Sequence, residues 1–217
     1  MSGQFTPSGY HFHHKAPLNA AIPAAPPLSS CVTARASTLA DGANFHHTLA
    51  TLKVALPGLG RPLTLISAHL CPNGPAVRRG EAAYLAVQAA ADSHTPLTGD
   101  FNSASPHGPY PEDFGALPAH HRARYLADNL KGADRSVLAN LEAAGWVDIG
   151  HALDKAITPT VPTAAFTGTE FATMRCDYVL ATTALAAGAK RCEVIRTPET
   201  DAASDHYPIV ATFEVQA

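Results

Sequence analysis

A chain of 217 residues, 46% of them apolar, is long enough to bury one large core without cross-links. Its formal net charge of −3 carries no global pull toward a polyanion, so the basic footprint usual in nucleic-acid-binding domains is absent. The four cysteines, Cys31, Cys71, Cys176 and Cys192, include no C-x-x-C pair; a cysteine-built zinc centre is not expected, and free thiols in a reducing compartment are.

The start of the chain, Met1-Ser2-Gly3-Gln4-Phe5, has no basic segment followed by an apolar run, and no stretch is long enough to span a membrane; a cytoplasmic protein without membrane contact is expected. Residues 1–28 are rich in Pro, Ala and His and read as a loosely structured lead-in to one domain over 29–217. A short strand is expected over Ser30–Arg35. Leu49–Leu56 alternates, with Leu52, Val54 and Leu56 on one face, and the turn residues Pro57-Gly58-Leu59-Gly60 join it to an apolar strand over Leu63–Leu70 as a hairpin. Pro75–Ala91 is predicted helical, with Pro75 in the first turn. Thr95–Thr98 reads as a strand and 103–120 as a loop. A helix runs from an Asp134 cap to a stop at Gly145. Strands follow at Cys176–Ala181, Ala189–Arg196 and Pro208–Val215. Strands interrupted by helices, some joined as hairpins, indicate a mixed α/β domain.

Polar residues gather where these strands end. His69 closes the strand Leu63–Leu70. In Gly99-Asp100-Phe101-Asn102, Asp100 and Asn102 fall on one side and Phe101 on the other. A carboxylate and a carboxamide so placed can hold a hard cation or an attacking water; they can equally cap their own backbone as an Asx turn. Asp177 opens an apolar strand, where a carboxylate is costly unless paired, with His69, Arg175 or another strand-end residue as its partner. Asp205 and His206 precede the last strand, and an imidazole there titrates near working pH.

Taken in order, the strand ending in His69, the G-D-F-N at 99–102, the R-x-D-Y-x-L at 175–180 and the S-D-H-x-P at 204–208 resemble the endonuclease/exonuclease/phosphatase superfamily, the deoxyribonuclease I-like group that includes apurinic endonucleases, sphingomyelinases and inositol-polyphosphate phosphatases. The resemblance implies a four-layer α/β sandwich of two mixed β-sheets flanked by helices. It also implies hydrolysis of a phosphodiester or phosphomonoester, as a nuclease or small-molecule phosphatase, with Mg²⁺ or Mn²⁺. By position, His206 resembles the catalytic histidine and Asp205 its metal-binding neighbour. Asp100 resembles the residue that orients the attacking water, and Asn102 the phosphate or metal contact. His69 resembles the second histidine, supported by Asp177. The implied cation ligands are Asp100, Asn102 and Asp205, and Arg78 is placed to reach a substrate phosphate.

The superfamily pattern opens with an Asn-bearing strand and a metal-binding Glu, and this sequence holds neither, which implies N-terminal truncation, a weakly held cation and a bare sheet edge. That edge calls for residues 1–28, a second copy of the chain or a partner to cover it. His11, His13, His14 and the pairs His46-His47 and His120-His121 offer alternative ligands for a softer ion such as Zn²⁺. The alternative reading keeps the fold without hydrolysis, as a member doing other chemistry or binding a phosphorylated ligand.

Overall fold

The computed structural model describes residues 33–39, 44–47, 49–56, 59–154, 157–168 and 172–215. The lead-in over 1–28, the histidines at 11, 13 and 14, and Cys31 lie outside them.

Two antiparallel hairpin connections build one side of the main sheet. Strands β1 (Thr33–Leu39), β2 (Leu49–Ala55) and β3 (Leu63–His69) pair in succession, Leu49 facing Ala68 and Val54 facing Leu63. After β3 the chain cannot turn straight back, because its next strand, β4 (Pro96–Asp100), runs parallel to it; helix α1 (Pro75–Ala86) makes the crossover. The helix stops short of the expected Ala91. The amides of Gln88 and Ala89 bond three residues back rather than four, tightening the last turn so that His94 can bridge to Leu63.

Beyond β4 come α2 (Ala119–Arg122), α3 (Ser136–Ala143), β5 (Val147–Asp148) and α4 (Ile149–Leu153). Asp134 stands one residue further out than an N-cap, yet its carboxylate still accepts the Ser136 amide at 2.9 Å. Gly145 at φ 109° ends that helix as its sequence position predicts. Strand β6 (Asp177–Ala181) then inserts antiparallel between β4 and β5, giving the order β1-β2-β3-β4-β6-β5. α5 (Thr183–Ala186) leads into β7 (Ala189–Val194). α6 (Pro198–Ala203), capped by reciprocal Thr197–Thr200 bonds, leads into β8 (Ile209–Phe213).

Alternation in β6 shows how the layers stack. Tyr178 and Leu180 face a core shared with Leu85 of α1, Leu138 and Leu141 of α3, and Trp146. Val179 and Ala181 face the opposite way, into a cluster with Ile149 and with Cys192, Ile209 and Phe213 of β7 and β8. The expected α/β architecture of two sheets with helices is present. The second sheet differs in detail: among the described residues it is the antiparallel pair β7–β8, not a mixed sheet. The three described strands at the close of the chain pattern form as expected. α2, β5, α4, α5 and α6 were not anticipated, being too short to carry a periodic signal.

Candidate active site

Sheet register gathers the first three residues. β3 and β4 run parallel and end together, with His69 opposite Asp100; β6 runs back from the same edge, with Asp177 opposite Asp100. His69, Asp100 and Asp177 therefore form one row across three neighbouring strands. Gly99 makes the row possible. Its φ is 138°, and a Cβ there would sit 1.9 Å from the Ala68 carbonyl oxygen, so only glycine lets β4 lie this close to β3.

Asp100 is gripped on all sides. Its Oδ1 accepts the Asn102 amide at 2.7 Å, and its Oδ2 accepts the Asn102 carboxamide at 3.0 Å and lies 3.3 Å from His69 Nε2. The Asx turn is thus formed and the carboxylate still faces the histidine. Asn102 adopts φ 47°, a left-handed conformation that asparagine tolerates better than most residues. Its Nδ2 also donates to the Leu70 carbonyl at 3.0 Å, and its Oδ1 accepts from Arg124 Nη2 at 3.3 Å.

His206 arrives from the second sheet. The loop before β8 brings its Nδ1 to 2.9 Å from Asp177 Oδ2. Thr160 ties the two halves: its buried hydroxyl accepts the amides of Cys176 (3.0 Å) and Asp177 (3.2 Å), while its carbonyl accepts the Tyr207 amide at 2.9 Å. Nothing in the local sequence marked Thr160, because its partners are distant along the chain.

Asp100, Asp177 and His206 each offer a ligand atom, all within 4.8 Å of one another. Burial pushes the Asp177 carboxyl up; the His206 charge and hydrogen bond oppose this, and the Asp100 carboxylate adds to the rise. Burial acts on Asp100 in the same sense, but the His69 hydrogen bond and the His206 charge outweigh it and hold that carboxyl below its ordinary range. Two facing carboxylates pushed in opposite directions form an arrangement that a cation or a shared proton completes.

Several expectations are corrected. Asp177 supports His206, not His69, whose partner is Asp100. Arg175 pairs instead with Asp148, in a buried ion pair stacked 4.4 Å from the Tyr178 ring. Arg78 does not reach outward. It is 1% exposed, with its guanidinium on the carbonyls of Cys71 (3.2 Å), Pro72 (3.4 Å) and Arg124. The Asp205 carboxylate accepts from its neighbour Ser204 at 3.3 Å, and Asp177 occupies the place in the tight group that sequence position gave to Asp205. His47 is brought in: its ring stacks on His69 with centroids 4.1 Å apart, beneath a turn fixed by the buried Glu81 carboxylate, which accepts the His46 amide at 2.6 Å and the Cys71 amide at 2.7 Å. The His120-His121 pair stays on α2.

No protein-family profile matches the chain, and no curated protein does. Solved structures do. The chain is similar to the 3′-5′ exonuclease NExo from Neisseria meningitidis (22% identity, 76% of this chain and 64% of that one, TM-score 0.52). It is similar to an AP endonuclease from Archaeoglobus fulgidus (18% identity, 76% and 65%, TM-score 0.53). It is also similar to an endonuclease/exonuclease/phosphatase family protein from Leptotrichia buccalis (16%, 85% and 62%, TM-score 0.52). The chain spans less than two thirds of the length of each. No described helix is long and apolar enough to cross a membrane. What the row of strand-end residues and these likenesses establish together is the architecture: the chain has the fold of the endonuclease/exonuclease/phosphatase structures.

Proposed function

We propose that this protein hydrolyses phosphoester bonds with the help of a divalent cation. The observation that carries the reading is the row His69–Asp100–Asp177 completed by His206, at one edge of a sheet shared with nucleases and phosphatases. Water adds to phosphorus, the ester P–O bond breaks, and the departing oxygen takes up a proton.

Asp100, held ionised, orients the attacking water and accepts its proton. With its Nδ1 on the Asp177 carboxylate, His206 keeps one tautomer and turns Nε2 to the phosphoryl group or the leaving oxygen. His69 sits on the other side of Asp100 and donates to a non-bridging oxygen as charge builds on it.

The facing carboxylates of Asp100 and Asp177 fit a divalent cation, their hard oxygens suiting Mg²⁺ or Mn²⁺, while His206, with its Nδ1 on Asp177, keeps Nε2 for the substrate. Asp205 and Asn102 remain further candidates as ligands. Bound there, the ion supplies Lewis-acid stabilisation of the phosphoryl oxygens and a more acidic water. The substrate is a small phosphorylated molecule or the end of a nucleic acid, since the net charge of −3 gives long polyanions no general attraction.

The test is hydrolysis of a chromogenic phosphodiester, a chromogenic phosphomonoester and plasmid DNA with Mn²⁺ or Mg²⁺. Turnover abolished by chelation, by His206→Ala and by Asp100→Asn supports the reading. Turnover that survives all three overturns it, and calorimetric binding of a phosphate compound without turnover favours a ligand-binding module.

A further inference from the structure

Helix α1 carries two buried charges about one turn apart, Arg78 and Glu81, and both hold main chain beside the stacked imidazoles of His47 and His69. The Glu81 oxygens accept the His46 amide at 2.6 Å and the Cys71 amide at 2.7 Å, short as bonds to a charged acceptor are. Arg78 donates to the Cys71 carbonyl at 3.2 Å, so one helix holds both main-chain groups of Cys71. Leu70 is held as fully by the end of β4. Its amide donates to the Asp100 carbonyl at 2.9 Å, and its carbonyl accepts from Asn102 Nδ2 at 3.0 Å. The chain leaving His69 is therefore fixed at every polar main-chain group of its next two residues.

The other amide at Glu81 leads to His47. Pairing of β2 with β3 ends at Leu49 opposite Ala68, so the segments 44–47 and 69–71 leave the ladder together, and beyond it Glu81 links them. Tyr84 steadies the first of these segments, with its ring 6.0 Å from that of Phe45 and its hydroxyl 2.8 Å from Asn44 Oδ1. One residue past the Glu81 contact, His47 lays its ring on His69, with planes 22° apart. His69 Nε2 in turn lies 3.3 Å from Asp100 Oδ2. A buried carboxylate is costly, and an apolar side chain would fill the same space at less cost. What the charge supplies is one planar group whose two oxygens hold the two amides at a set spacing, and with them an imidazole wall against the reacting histidine.

Building on the phosphoesterase reading, we propose that Glu81 is a positioning residue for that reaction: acting through the Cys71 turn and the His47 ring, it fixes the imidazole of His69 beside Asp100. His69 donates to a non-bridging oxygen as charge builds there, so the aim of its ring counts in the transition state more than in substrate binding. A displaced ring lowers kcat and leaves KM. Glu81→Gln keeps the size of the side chain and loses the clamp. Its carboxamide oxygen accepts one amide, while its NH₂ group meets the other donor to donor.

The experiment follows turnover of 4-nitrophenyl phosphate and bis(4-nitrophenyl) phosphate by the full chain with Mn²⁺, in Glu81→Gln, His69→Ala and the double variant, alongside NMR of the histidine ring protons. In Glu81→Gln, shown folded by circular dichroism, kcat should fall by about 10- to 100-fold while KM stays within about twofold. In the His69→Ala background the same substitution should change kcat by less than about twofold, because a residue acting through His69 has nothing left to act on. The His69 ring protons, shifted upfield by the His47 ring stacked on them, should move in Glu81→Gln toward the position of an unstacked histidine. A parent-like kcat, losses that multiply in the double variant, or unmoved ring protons overturn the role of Glu81, while His206→Ala can still abolish turnover. Should the parent hydrolyse neither ester, moved ring protons leave the clamp standing and the hydrolase reading fallen, and unmoved ones overturn both. Should Glu81→Gln fail to fold, His47→Ala takes its place. It removes the ring without touching the carboxylate, and it must lower kcat in the parent but not in His69→Ala; losses that multiply overturn the proposal.

Discussion

Asp100 and Asp177 stand directly opposite each other on β4 and β6, and each carboxylate has its own imidazole, His69 at 3.3 Å and His206 at 2.9 Å. Facing like charges cost a sheet stability. Because burial and the Asp100 charge raise the Asp177 carboxyl, its ionised form is the disfavoured one. For such a group the stability contribution is full below the unfolded value of about 3.9 and is lost as pH rises through the folded value.

Asp177→Asn therefore separates stability from activity. In chelator at pH 7 the variant should be more stable than the parent by about 0.5–1 kcal/mol, with the gain fading toward pH 3. Its kcat should fall by about 10²- to 10⁴-fold, because an amide no longer fixes the His206 tautomer. Urea titrations at the two pH values and a phosphodiester assay check both halves; a less stable variant at pH 7 contradicts the account.

Thr160 joins the two halves of the site through three hydrogen bonds. Thr160→Val keeps the volume but leaves the Cys176 and Asp177 amides without their acceptor, and should cost about 1–3 kcal/mol along with turnover. Thr160→Ser keeps the hydroxyl and should stay close to the parent. Chemical denaturation of the pair, read together with kcat, gives the answer.

Gly99→Ala drives a methyl into the Ala68 carbonyl and strains a φ of 138°. A loss of about 3 kcal/mol is expected, with the β3–β4 edge disturbed first. Amide exchange should show Leu70, which donates to the Asp100 carbonyl at 2.9 Å, losing protection ahead of the rest of the core.

Away from the site, His107 and His151 stack with centroids 3.5 Å apart and planes 2° apart, and His107 Nε2 lies 3.0 Å from Glu142. Burial, reinforced by His107 and Arg175 against the pull of Asp148 and Glu142, holds the His151 imidazole below its ordinary value. A depressed imidazole contributes stability above about pH 6.5 that is lost as pH falls through the folded value. The protein should be less stable at pH 5.5 than at 7.5, and His151→Phe, which keeps the stack, should narrow that difference in thermal midpoint.

Much of this arrangement was legible in the residues alone. Seven strands were expected and seven formed within a few positions, β5 being the one missed, and His69, Asp100, Asp177 and His206 were placed at strand ends because a polar residue closing an apolar run needs a partner. What could not be read was which partner. Asp177 had three candidates, and the choice of His206 rests on how a loop from the second sheet folds over the first. Arg78 misled because a charge in the first turns of a helix next to a candidate site reads as outward-facing. The side chain instead turns inward to carbonyls that only the 71–73 turn and the segment just after α2 bring together. His47 and Thr160 carry no local signal, since their contacts are made with residues far along the chain.

The reacting groups are divided between two sheets: three lie on the large one, and His206 rides on the approach to β8. Trp146, the chain's one tryptophan, reports only on the large-sheet core, where its indole donates to the Leu85 carbonyl at 3.0 Å. Detachment of the β7–β8 ribbon is a smaller event than global unfolding and needs less denaturant. Urea should therefore silence the enzyme while Trp146 fluorescence still reads native, so that catalysis monitors docking of the ribbon and the indole monitors the body beneath it.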